Sequence, residues 1–159
     1  MEKIWAPWRM EYIESSGDKT GCFLCDAFAS LEDRANLVLA RRKHAFLLMN
    51  RYPYTNGHLM AVPIKHTGDL DDLSPAELTG TMELVNESVR ALREVICAQG
   101  FNIGINLGAV AGAGMIDHVH IHIVPRWLGD TNFMPVLGET KVISEHLLET
   151  YDKLKSSFE

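Results

Sequence analysis

The feature that most constrains this chain is "HVHIHIVPRW", His118 to Trp127, where three histidines stand at every second position. Side chains alternate across an extended strand, so His118, His120 and His122 share one face, neighbours lying roughly 6.6 Å apart along it. Val119, Ile121 and Ile123 take the other face and are expected to pack under a helix. Three imidazoles in register make a costly core and an odd surface, so the row points to metal binding or to acid–base and nucleophilic work. Near neutral pH an uncharged imidazole can attack phosphorus while a protonated neighbour stabilises charge. The Gly-rich stretch before the row, Gly108 to Gly114, offers backbone amides to phosphate oxygens.

That suggestion has to agree with the charge. The 159 residues carry a formal net charge of −6, which argues against a broad basic surface for long nucleic acid. A polyanionic ligand must then be held locally, by backbone amides and a few placed side chains. No run of about eighteen apolar residues occurs, and Met1–Ser15 lacks the uninterrupted apolar core of a signal peptide, so no membrane partner and a cytoplasmic location are expected.

The length suits one domain. Residues 1–21 read as an aromatic-rich arm without a clean period, and residues 22–159 as the domain itself. "NLVLARR" and "AFLLMN" read as two strands joined by a tight turn, and "HLMAVPIK" as a third. Ser74-Pro75-Ala76-Glu77 is a capping box with proline at the first helical position. Beyond it Leu78, Met82, Val85, Val89, Leu92 and Ile96 recur at helical spacing until Gly100, which predicts a long helix with this stripe facing the core. "FNIGINLG" alternates as a strand does, and residues 144–157 read as a C-terminal helix. Hairpin-like strands around one long helix predict an α+β domain on an antiparallel sheet.

"HVHIHIV" resembles the His-x-His-x-His signature of the histidine-triad (HIT) superfamily of nucleotidyl hydrolases and transferases. Asn50 and His58, in "NRYPYTNGHLMAVP", fall where that family places a ribose-contacting asparagine and a fourth histidine. "WAPWRMEYI", "GFNIGINLG" and "HIVPRW" are most similar to its bacterial diadenosine-tetraphosphate phosphorylase-like branch. The resemblance implies a five-stranded antiparallel sheet with one long helix and a C-terminal helix, the sheet continuous across a homodimer. It implies cleavage of dinucleoside polyphosphates at the α-phosphate through a nucleotidyl-histidine intermediate on His120. His122 would bind phosphate oxygens, His118 and His58 would support the row, and Asn50, Asn106, Gly112 and Gly114 would hold the nucleotide. Nucleoside phosphoramidates are the alternative substrates, and a weakly active zinc-stabilised nucleotide-binding module is the alternative of another class. Many relatives carry Gln or Ser just before the triad; here Gly112, Ala113 and Gly114 offer only backbone amides.

Cys22 and Cys25 form C-x-x-C, compatible with a zinc half-site, a redox pair or chance. By the resemblance, His66 and His118 complete a structural Cys₂His₂ zinc site. Cys97, near the end of the long helix, reads as a core or boundary residue. Trp5, Trp8 and Arg9 either cover a base, pack at a subunit contact or anchor the arm; Arg126 and Trp127 either reach a distal phosphate or base or are structural.

Overall fold

A computed structural model of the chain describes residues 21–130 and 145–159; residues 1–20 of the N-terminal arm, with Trp5, Trp8 and Arg9, lie outside the described residues. Five strands form one antiparallel sheet in the order β1-β2-β3-β5-β4. They are β1 (Val38–Arg41), β2 (Ala45–Met49), β3 (Leu59–Pro63), β4 (Gly100–Ile105) and β5 (Ile121–Arg126). The α+β architecture with five antiparallel strands is therefore as expected from the sequence.

β2 and β3 are buried at every position, which is why they read as apolar runs with no alternation. On one face Ala45, Leu47, Met49, Leu59, Ala61, Ile121 and Ile123 pack against the long helix α3 (Pro75–Ile96) and the C-terminal helix α4 (Leu147–Lys155). On the other, Phe46, Leu48, Met60 and Val62 pack with Leu24 and Ala27 of the short helix α1 (Phe23–Ala29). A four-residue helix, α2 (Asp33–Asn36), leads into β1. Ile121 and Ile123 thus lie under α3 as expected, whereas Val119 is buried without belonging to that cluster.

The capping box forms: Ser74 Oγ accepts from the Glu77 amide at 3.4 Å and Glu77 Oε2 accepts from the Ser74 amide at 2.8 Å. Such a cap stabilises a helix by about 1 kcal/mol. Two details of α3 differ from the expectation. Its buried stripe is Thr81, Leu84, Val85, Ser88, Ala91 and Leu92, while Leu78 and Met82 are exposed. Thr81 and Ser88 are admitted to the core because their hydroxyls donate to the carbonyls of Glu77 and Leu84, both at 2.7 Å. The helix also stops earlier than Gly100, at Cys97, which takes the left-handed conformation (φ 53°) and is exposed, contrary to its reading as a core or boundary residue. Gly100 is already the first residue of β4.

α4 is shorter than the predicted 144–157, starting behind a His146 side-chain cap, and it is tied to β1 by Tyr151, whose hydroxyl donates to the Val38 carbonyl at 3.0 Å. No helix among the described residues is long and apolar enough to cross a membrane.

Candidate active site

The three histidines do share one face, but only His122 lies within the ladder, paired with Met60 on β3 and Gly104 on β4. His118 and His120 occupy the extended segment entering β5, which is fixed by the Val119 amide donating to the Thr67 carbonyl at 2.7 Å. Both rings are buried, at 0% and 5% exposure. His58, also 0% exposed, immediately precedes β3.

The ring tautomers follow from the partners, because an amide N–H only donates and a carbonyl only accepts. His58 Nδ1 receives the Tyr54 amide at 3.1 Å, with Asn50 Nδ2 at 3.4 Å, so that nitrogen is the acceptor. The proton of neutral His58 then sits on Nε2, which donates to His122 Nδ1 at 3.0 Å. His122 in turn carries its own proton on Nε2. His120 runs the other way: its Nδ1–H donates to the His118 carbonyl at 2.9 Å, leaving Nε2 with the lone pair. Burial, opposed by that hydrogen bond, pushes the His120 pKa below the ordinary imidazole value, which keeps the lone pair available near neutrality.

Around this row, the Tyr54 ring stacks on His58 with centroids 4.9 Å apart, and His120 meets His122 edge-on at 4.8 Å. Asn50 is turned onto the same loop, its Oδ1 accepting the Tyr52 amide at 2.9 Å. Asn106 is half-buried just after β4. In the Gly-rich loop the amides of Ala111, Gly112 and Ala113 bond to the carbonyls of Gly108 and Ala109. The Gly112 amide is therefore already engaged within the loop itself. Arg126 is held by Asp130 and Asn102, and the Trp127 indole donates to the Ile96 carbonyl at 3.2 Å against the core.

A second group lies at the other end of the row. Ligand atoms of Cys22, Cys25, His66 and His118 all fall within 4.8 Å of one another. His118 Nε2–H donates to the Pro63 carbonyl at 2.9 Å, which leaves Nδ1 as its lone-pair nitrogen, 3.2 Å from Cys22 Sγ and 3.5 Å from Cys25 Sγ. His66 Nδ1 is 3.3 Å from Cys25 Sγ. Burial, then the hydrogen bond and charge of Cys22, then the charge of Asp26, push the Cys25 thiol up to about 11. Burial holds the His118 pKa low as well, against the Pro63 bond. A dication relieves such crowding by binding thiolates and neutral imidazoles.

Sequence reasoning named every member of both groups but missed three residues that organise them. Thr67 acts through its carbonyl and Tyr54 through its amide as well as its stacked ring, and main-chain contacts leave no mark in the residue pattern. Arg41 gathers the carbonyls of Ala27, Phe28 and Ser30 at the end of α1, together with Asp33, and so docks the cysteine helix on β1. An arginine at a strand end facing an acid eight residues earlier was the only available signal.

Comparison with known proteins agrees with this geometry. The HIT domain model matches residues 32–127. An AP-4-A phosphorylase from Mycobacterium tuberculosis is 36% identical over 157 residues, covering 94% of this chain and 80% of that protein. A bis(5'-nucleosyl)-tetraphosphatase (asymmetrical) from Schizosaccharomyces pombe is 36% identical over 58% of this chain and 50% of its own length. Among solved structures, a zinc-bound histidine triad family protein from Mycobacterium smegmatis superimposes with a TM-score of 0.69 at 26% identity, covering 86% of this chain and 92% of that one.

Proposed function

The chain belongs to the HIT-domain family, and from that premise we propose that it is an enzyme cleaving dinucleoside polyphosphates such as diadenosine tetraphosphate at the α-phosphate. The observation that carries the reading is the hydrogen bond from His120 Nδ1 to the His118 carbonyl, which makes Nε2 a neutral, buried nucleophile. Both curated relatives described above are named for tetraphosphate chemistry.

In this mechanism His120 Nε2 attacks the α-phosphorus; the P–N bond forms as the bond to the bridging oxygen breaks, and the electron pair leaves on the departing nucleotide. The covalent step divides one hard transfer into two easier ones. His122 Nε2–H donates to a non-bridging oxygen, and His58 keeps it in that tautomer. Asn50 and Asn106 hold the nucleoside, and the amides from Gly114 onward receive phosphate oxygens in place of the side-chain donor many relatives carry. Water then releases AMP, or inorganic phosphate releases ADP.

Cys22, Cys25, His66 and His118 would hold a structural zinc ion. Two soft thiolates and two imidazoles suit it, and the observed S···N spacings approach the roughly 3.6 Å edge of a tetrahedral zinc site. When bound, the ion supplies a cross-link between α1, the loop after β3 and the triad segment. The active form is a homodimer, in keeping with the edge position of β4 and the exposure of Ile103, Leu78 and Met82.

Incubation with diadenosine tetraphosphate, with and without phosphate, tests the reading. ADP plus ATP in phosphate marks a phosphorylase and AMP plus ATP a hydrolase. Turnover of adenosine phosphoramidate alone, or nucleotide binding without any product, overturns it.

A further inference from the structure

Gly104 sits inside β4, directly opposite His122. Glycine weakens a strand interior and is kept there for a special conformation, a tight neighbour or the close approach of something else. The first reason does not hold, since the backbone of Gly104 is not in the left-handed region that favours glycine. Nor does the second: a Cβ built at this position meets nothing within 4 Å. By contrast, a Cβ at Gly57 would come within 2.6 Å of Ile96 Cδ1, and one at Gly68 within 2.4 Å of the Ile116 carbonyl oxygen. Gly104 alone among these three is open on the His122 face, and the protein itself does not require it to be glycine.

The sheet order says what the space is for. Asn50 follows β2, His58 immediately precedes β3, His122 is on β5 and Gly104 on β4. The order β2-β3-β5-β4 therefore lines up the asparagine, the two histidines and the glycine across one face, with about 4.8 Å between adjacent strands. With the nucleoside on the Asn50 side and the α-phosphorus over the row, the rest of the substrate continues over β4. Paired side chains on one face stand about 5 Å apart, so any side chain at 104 would stand beside the His122 ring in that path.

We propose that Gly104 is a specificity-determining position, its missing side chain leaving the slot beside His122 through which the departing polyphosphate and its second nucleoside run. The inference rests on the reading that His120 takes the α-phosphate of a dinucleoside polyphosphate, and adds where the other half of that substrate lies.

The test compares Gly104→Ala and Gly104→Val with the wild-type enzyme. Valine favours strands, so thermal stability is expected to hold or rise, and the alanine variant provides a milder step. Expected is a loss in kcat/KM for diadenosine tetraphosphate that grows with side-chain size, at least tenfold for valine, with AMP affinity by calorimetry within threefold of wild type. Unchanged turnover in the valine variant overturns the proposal, and so does an equal loss of AMP affinity, which would assign the slot to the nucleotidyl half. A wild-type enzyme that cleaves no dinucleoside polyphosphate defeats the underlying reading instead; wild-type cleavage that valine leaves intact defeats this one alone.

Discussion

His118 and His120 are two residues apart, both buried, and each bonded to a main-chain carbonyl, yet their rings are turned in opposite senses. His118 gives its Nε2–H to Pro63 and keeps the Nδ1 lone pair beside two thiols; His120 gives its Nδ1–H to His118 and keeps the Nε2 lone pair beside His122. On the proposed reading, this orientation suits one to metal ligation and the other to nucleophilic attack. Identical side chains in one row acquire different chemistry from which carbonyl lies within reach, and the strand supplies that distinction without any change of residue type.

The sharpest way to separate the two regions is His120→Ala. Turnover should fall by at least about 10³-fold, because no other lone-pair imidazole is placed to form the P–N bond, while AMP binding and zinc content persist. Activity comparable to wild type would falsify the assignment of the nucleophile. Cys25→Ser cuts the other way. Zinc should be lost and the melting temperature should drop by roughly 10 °C, as expected for about 3 kcal/mol in a domain of this size. A variant that keeps its metal and its melting temperature removes Cys25 from the metal site.

An intermediate case probes the relay. His58→Phe preserves a ring for Tyr54 to stack on but removes the donor to His122 Nδ1. A loss in kcat of about 10- to 100-fold is expected, the usual scale for removing a group that fixes another residue's tautomer, with zinc content unchanged. Equal kcat in the variant would show that His122 needs no such partner.

Much of this arrangement was legible in the residue pattern, and the limits have physical causes. Period-two spacing placed the three histidines on one face, and Ser74 and Glu77 announced the start of α3. The start of a helix is written locally, but its buried stripe is not: Leu78 and Met82 fit the period and lie exposed, while Thr81 and Ser88 enter the core by bonding their own helix. Nor could sequence show which nitrogen each histidine presents. That depends on Pro63, Tyr54 and the His118 carbonyl, contacts separated by up to 55 residues and made by backbone atoms every residue possesses.

The two regions also meet along the main chain, and the smallest expected effect tests that contact. The segment after His66 runs beside the triad segment: Thr67 accepts from Val119, and Gly68 lies so close that a Cβ would stand 2.4 Å from the Ile116 carbonyl oxygen and 3.3 Å from the Asp117 Cα. Backbone cannot yield there as a flexible side chain can. Gly68→Ala must therefore push residues 116–117 outward, at a stability cost of about 1–3 kcal/mol typical of overpacking. His66, the proposed metal ligand, is two residues back and has no atom among those that a Cβ at Gly68 would meet, so zinc content should be unchanged. On the proposed reading the displaced segment adjoins the phosphate path, so KM for diadenosine tetraphosphate should rise a few-fold, with kcat less affected because the Val119 amide stays anchored on the Thr67 carbonyl. Loss of zinc with KM unchanged would reverse the direction in which this contact transmits strain, and would place the flexible side of the junction at His66.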